Sequence, residues 1–446
     1  MSLPRYGEYK NSGISWLGAV PSHWEVQRLK YACTVFPSNV DKHSRDDEPA
    51  VRLCNYTDVY YNERVTFDMP FMEATASEEQ IAKFTLQADD TIITKDSETA
   101  DDIAIAAHVP EDLPGVVCGY HLSMVRPRAG TSGAFIKRFF DSVYAKAKFA
   151  VSANGLTRVG LGQYALDNVE MPFPPLIEQT AIAAFLDRET AKIGALIAEQ
   201  EKLVALLAEK RQATISRAVT KGLNPDTPMK DSGVAWLGDV PAHWAACPLK
   251  LLARIGNGST PNRDNPNYWA DEGFPWLNSS VVNQDEVSEA ERFVTERALK
   301  ECHLPVIAPP AVLVGITGQG KTRGMATRLA FTATVNQHVA YIKPSVDRLA
   351  EPYLLRVLEA AYLHLRTESE GAGSTKGAIT CGQLGDLRVP VPELAEQIEI
   401  SAFLDKETAK LEKLKLDSER SITLLQERRS ALITAAVTGQ IDVRKA

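Results

Sequence analysis

Two stretches of the chain carry apolar residues at helical spacing and contain no proline. From residue 178 to about 220, Leu186, Ile193 and Leu207 fall on multiples of seven, with Leu196 and Leu203 between them. From residue 396 onward, Leu404, Leu411, Leu425 and Leu432 keep the same step, with Leu414 between. This is coiled-coil periodicity, and it predicts two long helices that meet along a leucine seam. The stripe is broken at Gln200 and Ser418, near the middle of each helix. About forty residues at about 1.5 Å each make a rod of roughly 60 Å. Pro174-Pro175 and Pro390/Pro392 stop the preceding segments and set the entry to each helix.

Elsewhere the pattern shortens to period two. "AVRLCNY", "DTIITK" and "VVCGYHLSMVRP" precede the first long helix, and "AVLVGIT", "RLAFTATV" and "HVAYIKP" precede the second. Turn residues separate these runs, and helical candidates at residues 133–150 and 349–365 accompany them. The reading is an α+β protein.

The chain states its plan twice. "KNSGISWLGAVPSHW" at residues 10–24 returns as "KDSGVAWLGDVPAHW" at 230–244, an offset of 230 − 10 = 220. "EQTAIAAFLDRETAK" at 178–192 returns as "EQIEISAFLDKETAK" at 396–410, an offset of 218. "GLTR" at 155–158 matches "GSTK" at 373–376, and His121 aligns with His338. A tandem duplication is expected. Its parts are an opening segment (1–24), a globular domain (25–174), a long helix (175–222), a repeated opening segment (223–244), a second globular domain (245–392), a second long helix (393–440) and a tail (441–446). An internal pseudo-two-fold axis perpendicular to the rods makes the helices antiparallel, with Gln200 and Ser418 facing each other. It also brings the end of the second helix, near Gly439, back to Lys10. The paired tryptophans Trp16/Trp236 and Trp24/Trp244 are expected to pack each domain on its helix.

Composition narrows the function. Six scattered cysteines form no CxxC pair, so neither a metal site nor a disulfide framework is implied. The first residues hold no apolar core of signal-peptide length, and no run of about 18 apolar residues exists. A cytoplasmic, non-membrane protein is expected. The formal charge is −8. Even so, residues 113–140 contain no acid but hold Arg126, Arg128, Lys137 and Arg138, and residues 302–346 contain none but hold Lys321, Arg323, Arg328 and Lys343. Equivalent regions of both copies are locally cationic, which points to two polyanion-facing surfaces.

One motif points elsewhere. "GITGQGKT" at residues 315–322 fits G-x-x-x-x-G-K-[ST], the phosphate-cradling loop of nucleotidases. Such a loop needs a helix directly after Lys-Thr, so that the helix N-terminus faces the phosphates. Here "RGMATRLAFTATV" follows and alternates like strands. A Gly/Lys/Arg turn facing nucleic acid fits better. "NPNY" at 265–268 is one residue away from an amino-methyltransferase motif, but no Gly-rich cofactor loop accompanies it. His121 and His338 read as structural histidines. No catalytic carboxylate pair, nucleophile elbow or zinc spacing is apparent.

The doubled "SGxxWLGxVPxHW", the domain ending "LRVPVP", and the doubled "EQ…FLDxETAK" resemble the specificity subunits of type I restriction–modification systems. The resemblance covers almost the whole chain. It implies two target recognition domains, related by a pseudo-two-fold and joined by an antiparallel coiled coil. Each would read half of a split, asymmetric double-stranded DNA site in the major groove. It implies a prokaryotic, non-catalytic subunit whose helices set the spacing and dock two modification (methyltransferase) subunits, which restriction subunits join. S-adenosylmethionine, ATP and magnesium would belong to those partners. By position, the implied DNA contacts are Thr94, Lys95 and Ser97 in the first domain, and Gln319, Lys321, Thr322, Arg323 and Arg328 in the second. The polar turns Asn55-Tyr56-Thr57 and Asn278-Ser279-Ser280 are second choices. Two other readings remain: a P-loop nucleotidase, and a structural adaptor that binds only proteins.

Overall fold

Both leucine-striped stretches form single helices, Leu176–Lys221 and Leu394–Val437. The computed structural model describes residues 3–318, 320–370 and 377–445. They fall into two units, Met1–Glu201 with Glu419–Ala446, and Lys202–Ser418. Each long helix therefore contributes one part to each unit. In the first unit, Ile182, Phe185 and Leu186 from the start of the first long helix share a core with Ile433, Ala436 and Val437 from the end of the second. In the second unit, Ile400 and Leu404 share a core with Ile215, Ala218 and Val219. Start packs against end in both cores, so the helices run antiparallel.

Of the predicted seam, Leu186, Ile193, Leu207, Leu404, Leu411 and Ser418 are buried, and Gln200, Leu425 and Leu432 are half-buried. Leu196, Leu203 and Leu414 are instead 47%, 40% and 52% exposed. A straight helix drifts about 20° per heptad against a 3.5-residue repeat, so a sequence stripe this long does not stay on one line.

The first globular domain is built on an antiparallel sheet in the order Cys33–Pro37, Leu122–Pro127, Thr91–Thr94, Ala106–His108. A second sheet has the order Val116–Cys118, Ala50–Cys54, Met72–Thr75, its first pair parallel. The second domain repeats this plan with changes. Ala253–Asn257, Val339–Pro344, Val312–Gly315, Ala326–Leu329 and Glu286–Val287 form one sheet. Trp269–Ala270, Phe293–Val294, Phe274–Leu277 and Thr334–Val335 form another, again with a parallel pair. All six cysteines are free.

The repeated Glu-Gln pair at the start of each long helix braces each unit from within. Gln179 is fully buried. Its amide donates to the carbonyls of Gly130 and Pro174 and accepts from Ser132 N at 2.9 Å. Gln397 does the same with Arg348, Pro392 and Ala350. Ser132 and Ala350 are the residues that open the helices Gly133–Asp141 and Glu351–Ala360. One glutamine thus fixes a domain helix to the long helix in each copy. Glu178 accepts from the Trp24 indole at 3.0 Å and the Tyr6 phenol at 3.1 Å, and contacts His23 and Arg444. Glu396 accepts from the Trp244 indole at 3.0 Å and contacts His243.

The chain's end returns to its beginning within the first unit. Tyr9 donates its phenol to Gly439 O at 3.0 Å, and Asp442 N donates to Pro4 O at 2.8 Å. Gly439 has φ +73°, and a Cβ there would lie 2.3 Å from Pro21 Cδ. Only glycine permits this close approach of helix end to opening segment.

Candidate nucleic-acid interface

In both copies the ends of four strands converge on one place. The parallel pair sets Cys54 opposite Cys118 in the first unit and Leu277 opposite Val335 in the second. Each first strand then ends in an asparagine that caps a short helix. Asn55 caps Tyr56–Tyr60, and Asn278 accepts from Ser280 N at 2.8 Å to start Ser279–Asn283. Three residues beyond Cys118 and Val335 stand His121 and His338. The intervening loop is held by Gly119 N donating to Cys54 O and by Asn336 N donating to Leu277 O, both 2.9 Å. The neighbouring strand is tied in by Lys95 N donating to His121 O (3.1 Å) and Ile316 N to His338 O (3.0 Å). The next side chain on that strand faces the imidazole. Asp96 Oδ2 lies 2.9 Å from His121 Nδ1, and Thr317 Oγ1 lies 2.8 Å from His338 Nδ1.

One backbone frame thus carries two different sets of polar groups. In the first unit Tyr120 stands half exposed beside His121. Lys95 Nζ lies 4.5 Å from its ring centroid and donates to Ser38 O. Burial lowers the Lys95 pKa from its ordinary value, against the opposing pull of Asp96. In the second unit the matching positions hold Gln337 and Ile316. Gln337 is exposed, accepts from Thr260 Oγ1 at 2.6 Å, and its amide nitrogen is 3.1 Å from His338 Nε2.

The residues picked from the sequence divide accordingly. Lys95, Asn55, Tyr56 and Thr57 lie at or beside this place in the first unit, and Asn278, Ser279 and Ser280 in the second. Tyr56 stacks on Tyr60, and burial raises its phenol pKa. Thr94 is fully buried, its hydroxyl accepting from Ile105 N at 3.0 Å, and Ser97 is 3% exposed. Neither presents its side chain to a ligand surface; both belong to the interior of the strand end. Gln319 lies outside the described residues, as does the "GSTK" segment at 373–376. Lys321 is exposed, Thr322 half-buried and Arg323 buried. Arg323 donates to Glu370 at 2.7 Å. The histidines read as structural are those that organise the place. Their signal in the sequence was their shared alignment.

The cationic stretches are also corrected. Arg126 pairs with Asp90 at 2.7 Å, and Arg138 with Asp187 at 2.7 Å. Lys137, 4% exposed at its side chain, pairs with Glu63 and Asp141. Arg328 pairs with Glu351 at 2.9 Å. Acids from distant sequence neutralise these cations. Of the eight, Arg128, Lys321 and Lys343 stay exposed.

The phosphate-loop match dissolves in the structure. Val312–Gly315 leads through a turn into Ala326–Leu329, which pairs with it antiparallel. No helix N-terminus follows Lys321-Thr322. Instead Tyr362 and Arg366 hold the turn through the carbonyls of Lys321 (2.9 Å) and Gly320 (2.6 Å). Among the described residues, no group of three His, Cys, Asp or Glu could hold a metal, and no helix is long and apolar enough to cross a membrane.

Residues 241–419 match the family described as the type I restriction modification DNA specificity domain. The candidate MjaX type I restriction enzyme specificity subunit of Methanocaldococcus jannaschii is 21% identical over 448 residues, covering 99% of each chain. The chain is thus similar, over nearly its whole length, to type I restriction–modification specificity subunits. Two solved structures share the fold of this chain. A chain from work on complex assembly and conformational transition of the type I R-M system has TM-score 0.68 at 19% identity, over 94% of this chain and 98% of that one. The HsdS subunit from Thermoanaerobacter tengcongensis has TM-score 0.56 at 18% identity, over 95% and 98%.

Proposed function

We propose that each half of this specificity subunit reads one part of a two-part, asymmetric site on double-stranded DNA. The reading uses the polar groups at the converging strand ends, set into the major groove, where each base pair shows a distinct donor and acceptor pattern. The observation that carries this is the repetition of one backbone frame with unlike side chains, Tyr120 and Lys95 in one copy and Gln337 and Ile316 in the other. Identical frames with unlike contacts suit an asymmetric target. The long helices set the spacing between the two readers. They also dock two modification (methyltransferase) subunits, to which restriction subunits attach. The chain itself catalyses nothing. S-adenosylmethionine, ATP and magnesium act on the partner subunits.

The test is the sequence of DNA captured from a random duplex pool by the chain assembled with its modification subunits. Two short conserved blocks separated by unconserved positions are expected. A single continuous block, or none, contradicts the reading.

A further inference from the structure

We propose that Gln337 is a base-reading residue of the second half-site and that the base it reads is adenine. The proposal rests on the reading that this half binds DNA. Gln337 sits at the exposed tip of the loop between Thr334–Val335 and Val339–Pro344. Its loop is pinned from below, because His338 N donates to Asn336 Oδ1 at 2.9 Å. Its side chain is pinned as well. The amide nitrogen can only donate, so at 3.1 Å from His338 Nε2 it makes that nitrogen the acceptor. The imidazole proton then lies on Nδ1, where it is donated to Thr317 Oγ1 at 2.8 Å. On the other side Thr260 Oγ1 donates to Gln337 Oε1 at 2.6 Å.

An amide has two N–H donors and an oxygen with two lone pairs. After these two internal bonds, Gln337 keeps one free N–H and one free lone pair in the plane of its amide. That pair matches adenine in the major groove, which offers the N7 acceptor beside the N6 amino donor. Guanine shows two acceptors there and would leave the Gln337 oxygen facing another oxygen. Reversing the amide would reverse the whole set of bonds, its NH2 donating to Thr260 Oγ1 and His338 taking the other tautomer, and would still leave one N–H and one lone pair free at the same place. The position of that edge is set by Thr260, His338 and Thr317 as positioning residues. The first unit has Tyr120 at this place and cannot offer the same pair.

The test is a random duplex pool captured by the assembled wild-type chain and by the Gln337→Ala and Thr260→Val variants, with melting curves to confirm the fold. The wild type should select adenine at one position of one block. Gln337→Ala should lower selectivity at that position alone by roughly tenfold to a hundredfold. Thr260→Val, which frees the amide while keeping its shape, should relax the same position by less. Should Gln337→Ala fail to fold, Thr260→Val carries the test. Unchanged selection in these variants, or a relaxed position that is not adenine, overturns the assignment while leaving the two-part reading intact. A wild type that yields no two-block motif overturns both.

Discussion

The carboxylate of Glu178 accepts the Trp24 indole N–H at 3.0 Å and is itself 4% exposed. The same glutamate serves Tyr6, His23 and Arg444, so one residue on the long helix holds both chain ends in the first unit. Glu178→Ala would strand several buried donors and should cost about 3 kcal/mol. Glu396 has fewer partners, Trp244 and His243, and a side chain 29% exposed. Glu396→Ala should cost nearer 1 kcal/mol. Urea unfolding of the two variants checks the order, and equal losses would contradict it.

Gly439 and Gly222 close the two long helices in the same left-handed conformation, with φ +73° and +71°. Alanine at Gly222 meets its nearest atom at 3.3 Å, whereas at Gly439 it meets Pro21 Cδ at 2.3 Å. Gly222→Ala should therefore cost about 1 kcal/mol of left-handed strain, with only a small shift asked of the Trp244 ring. Gly439→Ala should cost about twice that or more, since the proline ring must also move. Thermal melting of both variants measures the difference.

Glu63 gathers Lys137, Arg138 and Arg429 around one carboxylate. Burial raises its pKa, but the neighbouring cations outweigh burial and hold it down at about 2 instead of 4.5. A carboxyl whose folded pKa is depressed stabilises the fold fully above its unfolded pKa and loses that contribution as pH falls toward the folded one. The stability difference between wild type and Glu63→Gln should therefore be constant above about pH 5 and shrink between about pH 4.5 and about 2. Urea midpoints across that range read it directly.

What the sequence made legible, and what it hid, follows from the range of the interactions. The doubled helices, the opening segments and the circular return were readable because near-identical text repeats, and a seven-residue step needs only local information. The role of the Glu-Gln pair was hidden, because Trp24, Gly130 and Ser132 reach it from far along the chain. The same limit misplaced the cations. Arg323 and Arg328 looked free in an acid-free stretch, yet Glu370 and Glu351 arrive from helices that follow it. Thr94 and Ser97 have turn chemistry, but the strand Thr91–Thr94 is buried on both faces and Ser97 is paired with Val159. A lone glutamine such as Gln337 carries no motif. Only the contacts to Thr260 and His338 give it direction.

Lys321 and Arg323 separate binding from folding within one turn. Lys321 is exposed, so Lys321→Ala should change stability by less than about 0.5 kcal/mol. It should still weaken DNA capture across all sequences and lower the salt slope by about one. Arg323→Ala should lower the melting temperature first, because the Arg323 side chain is only 4% exposed and its removal empties a packed site. The purified chain should not hydrolyse ATP in either form.

The central claim is that the two halves read independently. Its most direct measurement is methylation mapping in a host carrying the complete system, with residues 245–392 exchanged for the matching segment of another specificity subunit. One block of the methylated motif should change while the other block stays as in the wild type. A motif that changes in both blocks, or in neither, would contradict the account.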